Sequence, residues 1–278
     1  MEQVTNGAIR NDEVLSVLVS RTGRVWLTTR TAGLLYWENE RVTIFSVERR
    51  CISAALTEGM AEDKDGSLWV RGISGLYHLS GSTCEPIGID EGYPGGFPAA
   101  ILVDRVGTVW VKAPSGALLT RSQRESRFTF RQLVSGPSSN AAHLHEGPDG
   151  DVWLSDDTGI REIETGSGIL LPSVIVHEKH SDKAAAADFA FADDGSLWVA
   201  GSEGARRFGL KEWRPQGRID VERSDSPTHE EVLGSGVVSR LLIDREKNIW
   251  LGTNSGLDQL RRTVITSIPT PRNQGHQF

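Results

Sequence analysis

His143 and His145 stand two residues apart, so in an extended segment both imidazoles project to the same side. With His177 and His180 they offer the ligand types of a zinc site, but spacing fixes no third ligand, and the sequence calls for no metal. Asp63-Lys64-Asp65-Gly66 opens like a calcium loop yet lacks the downstream bidentate glutamate of an EF-hand, so its carboxylates read as turn formers. Cys51 and Cys84 are the only cysteines; they are too few for a disulfide framework or a metal centre, and no bridge between them is expected. These residues make no catalytic constellation, and none demands a cofactor.

What positions them is a repeat. The copies read Gly23-Arg24-Val25-Trp26-Leu27, Gly66-Ser67-Leu68-Trp69-Val70, Gly107-Thr108-Val109-Trp110-Val111, Gly150-Asp151-Val152-Trp153-Leu154, Gly195-Ser196-Leu197-Trp198-Val199 and Asn248-Ile249-Trp250-Leu251. Their tryptophans lie 43, 41, 43, 45 and 52 residues apart, the period of an array. Each glycine-containing turn lies between two strand-like runs, with Asn248 in the turn position of the sixth copy. Further strand-like segments lie upstream (Val14 to Val19, Val237 to Ile243) and downstream (Val42 to Phe45, Phe128 to Phe130). The unit is therefore a four-stranded antiparallel meander, a propeller blade. The expected fold is all-β: one domain over residues 1–278, with six blades at about 11–48, 52–90, 97–134, 140–178, 186–222 and 235–268. The Trp-bearing strands are apolar without alternation, which predicts cover on both faces, with Trp26, Trp69, Trp110, Trp153, Trp198 and Trp250 filling the gaps between blades. Trp37 and Trp213 fall outside the motif.

Composition removes several classes of function. A net charge of −7 gives no footprint for nucleic acid. No apolar run reaches the roughly 20 residues of a membrane span, and Met1 to Arg10 does not have the pattern of a signal sequence. The 38% hydrophobic content suffices for a large core. The chain reads as six blades cut from a longer array, either closing here or continuing past Phe278.

The sixth copy, from Asp244 through Trp250-Leu251-Gly252-Thr253 to Gly256-Leu257, resembles the two-component regulator propeller repeat. The Gly-Thr after the tryptophan is intact only there; the glycine position holds Thr28, Arg71, Lys112, Ser155 and Ala200 in the other copies. The resemblance implies the extracytoplasmic (periplasmic) sensor propeller of a bacterial receptor. Such a domain is a non-catalytic input module that binds a small molecule or an oligosaccharide, with homodimerisation through the full-length receptor. Any kinase or cyclase output lies outside these residues.

In such an array the loops between second and third strands share one face with the blade-to-blade linkers, and binding residues favour such loops. They contribute Arg30, Arg71 and Lys112 from blades one to three, Asp156, Asp157 and Glu203 from blades four and five, and Asn254 from blade six: a channel mouth basic on one side and acidic on the other. Arg71 and Lys112, two residues beyond a Trp, need a carboxylate or an anionic ligand. In the ligand reading, replacing both with Ala abolishes binding and leaves the melting temperature nearly unchanged. An insertion between Lys211 and Gly236, with Trp213, His229 and several acids, is either a binding element or solvated loop. Two other functions compete. A propeller lyase of the streptogramin lyase type needs a His base and a metal-binding carboxylate converging on one mouth, with His143, His145 and His229 as donors. An interaction scaffold needs an exposed apolar face.

Overall fold

The computed structural model describes residues 14–45, 57–81, 83–134, 142–156, 159–164, 169–170, 188–201, 204–208, 237–244, 246–253 and 256–260. The described strands form six antiparallel sheets, each in sequential order. Sheet one holds β1 (Val14–Val19), β2 (Val25–Thr29), β3 (Gly33–Glu38) and β4 (Arg41–Ile44); sheet two holds β5 (Thr57–Glu62), β6 (Leu68–Gly72), β7 (Gly75–Ser80) and β8 (Thr83–Ile87). Sheet three holds β9 (Ala100–Val103), β10 (Val109–Lys112), β11 (Ala117–Arg121) and β12 (Thr129–Leu133); sheet four holds β13 (His143–Glu146), β14 (Val152–Asp156), β15 (Gly159–Glu164) and β16 (Ile169–Leu170). Sheet five holds β17 (Asp188–Phe191), β18 (Leu197–Gly201) and β19 (Gly204–Phe208), and sheet six β20 (Val238–Ile243), β21 (Ile249–Thr253) and β22 (Gly256–Leu260). The fourth strands expected of these two blades, and the insertion with Trp213 and His229, lie outside the described residues. The fold is an all-β propeller.

The turn between first and second strands is set by its residues. In blade three, the Asp104 N–H donates to the Thr108 carbonyl and the Gly107 N–H to the Asp104 carbonyl. The Asp104 carboxylate then accepts Val106 N–H, Thr108 N–H and, at 2.8 Å, the Trp110 indole N–H. The same Asp–indole bond recurs at Asp63–Trp69 and Asp244–Trp250. The turn that starts the strand thus also satisfies the one polar atom of the tryptophan that fills the core. Gly66, Gly107, Gly150 and Gly195 all take positive φ in these turns. In blade six that position belongs to Lys247, at φ 68°, not to Asn248 as the sequence suggested. Asn248 is one residue later and bonds back to Asp244 through its N–H and its side-chain amide.

The core is a chain of interfaces between blades. Trp26 packs with Leu68 and Val70 of the next blade, Trp69 with Val109 and Val111, Trp110 with Val152 and Leu154, Trp153 with Leu197 and Val199, and Trp198 with Val238 and Leu251. A buried Trp removes up to roughly 250 Å² from water, about 6 kcal/mol at ~25 cal/mol per Å². Accordingly β6, β10, β14 and β18 are buried throughout. The expectation of two-sided cover weakens at the two ends. β2 is part-exposed, and in β21 Leu251 alone is buried, leaving Trp250 part-exposed. Inner strands pack in succession, β1 on β5, β5 on β9, β9 on β13, β13 on β17 and β17 on β20, without comparable packing of β20 on β1 among the described residues. Val17 of β1 and Leu242 of β20 remain exposed along that seam.

One cysteine expectation is corrected. Cys84 in β8 is disulfide-bonded, and the chain's other cysteine, Cys51, lies outside the described residues.

Candidate functional site

Register places one residue of every first strand beside the residue two positions past the Trp. The pairs are Ser16 with Thr28, Gly59 with Arg71, Ala100 with Lys112, His143 with Ser155, Asp188 with Ala200, and Arg240 with Gly252. They form one layer around the channel, and the sizes are complementary. Where the inner residue is Gly59 or Ala100, its partner is a long cation; where it is His143, Asp188 or Arg240, its partner is small. Contact shows why. A Cβ on Gly59 would sit 3.2 Å from Cδ of Arg71, and a Cβ on Gly252 would sit 3.3 Å from Cβ of Arg240. This trade accounts for the glycine at 252 in blade six and for Arg71 and Lys112 in blades two and three.

The layer opens into a cavity of about 1060 Å³. Its polar lining includes Arg71, His143, His145, Asp188, Ser239 and Arg240, and its walls include Val14, Val17, Met60, Leu242, Trp250 and Leu257. Asp188 is the best-anchored group. Its Oδ2 accepts the Leu241 N–H of the next blade at 3.0 Å, while its Oδ1 accepts its neighbour Phe189's N–H at 2.9 Å and stands 3.1 Å from Nε2 of His145. Oδ1 is also 3.7 Å from Nδ1 of His143. Burial alone raises the Asp188 pKa, but the His145 hydrogen bond, the two imidazoles and the Leu241 N–H outweigh it and leave the carboxyl below its ordinary value. His143 is lowered to about 4: burial contributes most, Asp188 opposes it, and Arg240, His145 and Arg71 add to the lowering, so its imidazole is neutral at pH 7.

The residues expected at the mouth divide. Arg71 lines the cavity; it is buried, donates from Nε to the Pro98 carbonyl at 2.8 Å and lies over the Phe97 ring at 5.1 Å. Lys112 and Asp156, expected on opposite sides, are both buried and face each other at 3.9 Å across the boundary of blades three and four, where Arg161 also binds Asp156 at 2.6 Å. At that boundary the basic and acidic sides neutralise one another. Arg30 is exposed and does not line the cavity; Asp157, Glu203 and Asn254 lie outside the described residues, as do His177 and His180. Trp26, Trp69, Trp110, Trp153 and Trp198 are buried between blades. The structure adds Asp188 and Arg240, which the sequence reading missed. Their signal was available in the repeat: Asp188 follows His143 by 45 residues, the same interval that separates Trp153 from Trp198.

Asp63-Lys64-Asp65-Gly66 is a turn, as read. Asp65 Oδ1 accepts the Ser67 N–H and hydroxyl, and Asp63 accepts the Trp69 indole.

Residues 232–255 match the repeat family described as Two component regulator propeller. The chain thus carries that repeat in its sixth blade. Among solved structures, it is similar to the extracellular domain of BT4673 from B. thetaiotaomicron, described both as a one component and as a hybrid two component system. For the first, identity is 20%, the TM-score 0.71, and the match covers 96% of this chain and 35% of that one; for the second the values are 18%, 0.71, 95% and 35%. The extracellular domain of the hybrid two component system BT3049 from the same organism is similar at 15% identity, TM-score 0.68, over 89% of this chain and 33% of that one. Virginiamycin B lyase from Staphylococcus aureus is similar at 11% identity, TM-score 0.62, over 92% and 86%. The chain spans about a third of the two extracellular domains, and at these identities the likeness concerns the fold. No curated protein matches the sequence.

Proposed function

We propose that this chain is a ligand-binding input propeller of a bacterial two-component or related receptor, working outside the cytoplasm and without catalysis of its own. The observation that carries the reading is the group of Arg71, His143, His145, Asp188 and Arg240 lining a cavity large enough for an oligosaccharide. The regulator-propeller repeat in blade six supports the receptor context. The disulfide at Cys84 supports an oxidising compartment, since cytosolic thiols are kept reduced. The similar extracellular domains add support by analogy of fold. Arg240, exposed in the cavity, favours a ligand with an acidic group, and a homodimer of the complete receptor remains the partner arrangement proposed.

The double substitution of Arg71 and Lys112 is a poor test, because both are buried and bonded and their loss lowers stability as well. Arg240 is exposed in the cavity and better suited. Neutral oligosaccharides and oligouronates titrated calorimetrically into the chain should show saturable binding of an acidic member. Arg240→Ala should weaken that binding by about tenfold or more, since a hydrogen bond to a charged group is worth roughly 1.5–3 kcal/mol, with little change in Tm. Binding indifferent to Arg240, or none across the panel, sinks the reading.

A second reading draws on one feature, the convergence of two histidines and a carboxylate that a propeller lyase requires. Incubation with virginiamycin B decides it by mass spectrometry: a ring-opened product lost in His145→Ala makes the chain an enzyme.

A further inference from the structure

We propose that His143, His145 and Asp188 form a binding site for one divalent transition-metal ion of the zinc type, with its remaining coordination position open to the channel. The three side chains come from adjacent inner strands, β13 and β17. His143 and His145 alternate on one strand and so reach the same side, and Asp188 holds on the next blade the register position that His143 holds on its own. One ligand atom from each lies within 4.8 Å of the others. Oδ1 of Asp188 is 3.1 Å from Nε2 of His145 and 3.7 Å from Nδ1 of His143. Four-coordinate zinc holds its nitrogen and oxygen ligands at about 2.0–2.2 Å; in a tetrahedron that separates the donors by roughly 3.3–3.6 Å, so small rotations of the imidazoles complete the site.

The surroundings fit a ligand set more than a plain hydrogen-bonded pair. The Leu241 N–H fixes Asp188 through Oδ2, and Oδ1, which also accepts the Phe189 N–H, faces both histidines. Phe189 packs edge-on against the His145 ring, with centroids 4.6 Å apart, and limits its rotation. Such outer contacts orient metal ligands and their loss weakens metal binding. Two histidines and one carboxylate leave the ion a net positive charge and an open position, the arrangement of a zinc that takes an outside oxygen ligand. Arg71 and Arg240 line the same cavity. Their charges lower the affinity for a bare cation and favour an anionic oxygen as its fourth ligand. The site does not rest on the receptor reading.

The test uses the whole chain, stripped with EDTA and titrated with Zn²⁺ by calorimetry. One equivalent should bind, and His143→Gln should weaken binding by about tenfold or more. His78→Ala, remote from the channel in β7, should leave it unchanged. Circular dichroism checks the fold of each variant. Co²⁺ added to the unaltered chain gives a reading that needs no variant: intense visible d–d bands of a low-coordinate site are expected. Weak bands of the octahedral aquo ion, absence of saturable Zn²⁺ binding, or binding unchanged in a folded His143→Gln overturns the site. Zinc binding without saccharide binding leaves this site standing and removes the acidic-ligand reading; the reverse result does the opposite.

Discussion

A single residue in blade six shows how strictly the repeat is enforced. The turn requires positive φ, which Gly66 and Gly107 supply in other blades, and Lys247 supplies it here at φ 68°. An L-residue with a Cβ in that conformation costs about 1–2 kcal/mol. Its ammonium reaches Asp193 of blade five, but both side chains are more than half exposed, so that pair returns little. Lys247→Gly should therefore stabilise the chain by about 0.5–1 kcal/mol, once the larger unfolded-state entropy of glycine is deducted. Urea unfolding of the two proteins measures the difference, and the matching control, Asn248→Gly, should destabilise, because it removes the side-chain amide bond to Asp244. The reverse order would place the left-handed position at Asn248, where the sequence alone had put it.

Between elements, one device recurs at two of the blade boundaries. Arg21, in the first turn of blade one, pairs with Glu62 at the end of β5 and donates to the Asp63 and Lys64 carbonyls. Arg105, the corresponding residue of blade three, pairs with Glu146 at the end of β13 and donates to the Gly147 and Pro148 carbonyls. Each guanidinium ties the turn of one blade to the turn of the next. About half of the Arg105 side chain is exposed, so an Arg105/Glu146 double-mutant cycle should give a coupling below about 1 kcal/mol. Arg105→Ala alone should cost more, about 1–2 kcal/mol, because the carbonyl bonds go too; a coupling as large as the single loss would contradict that division. Such clamps were illegible beforehand, because they join residues 41 to 43 apart whose proximity exists only once the blades are stacked. The blades themselves were legible, because a turn glycine, an apolar triplet with Trp and a second glycine are all local. The site was half legible for the same reason. His143 and His145 share a strand and were paired by spacing, whereas Asp188 becomes their neighbour only through alignment of two repeats. Lys112 and Asp156 were placed on opposite sides of a mouth by blade number, and turned out to be each other's partner.

At the scale of the molecule, the tryptophans make stability directional. Each one from blade one to blade five packs on the second strand of the following blade, so blades two to five have a neighbour on either face. Blade six gives Trp250 no such strand among the described residues, and Val17 and Leu242 stay exposed where β1 and β20 approach the cavity. Amide exchange in the native state reads this asymmetry, since local opening follows the buried contacts that must be broken. If the uncovered face costs blade six half of one Trp interface, about 3 kcal/mol, its β21 amides should exchange roughly a hundredfold faster than those of β10, at about 1.4 kcal/mol per factor of ten. Protection should rise from β21 through β18 to β14 and β10, and fall again at β2. Uniform protection around the six blades would mean that the seam is covered in solution, and Val17 and Leu242 would then be the residues to probe for what covers it. A gradient centred on blades two to five would instead show that a propeller can hold the Arg71–His143–Asp188 layer in its rigid part while one side of the ring stays open to ligand entry.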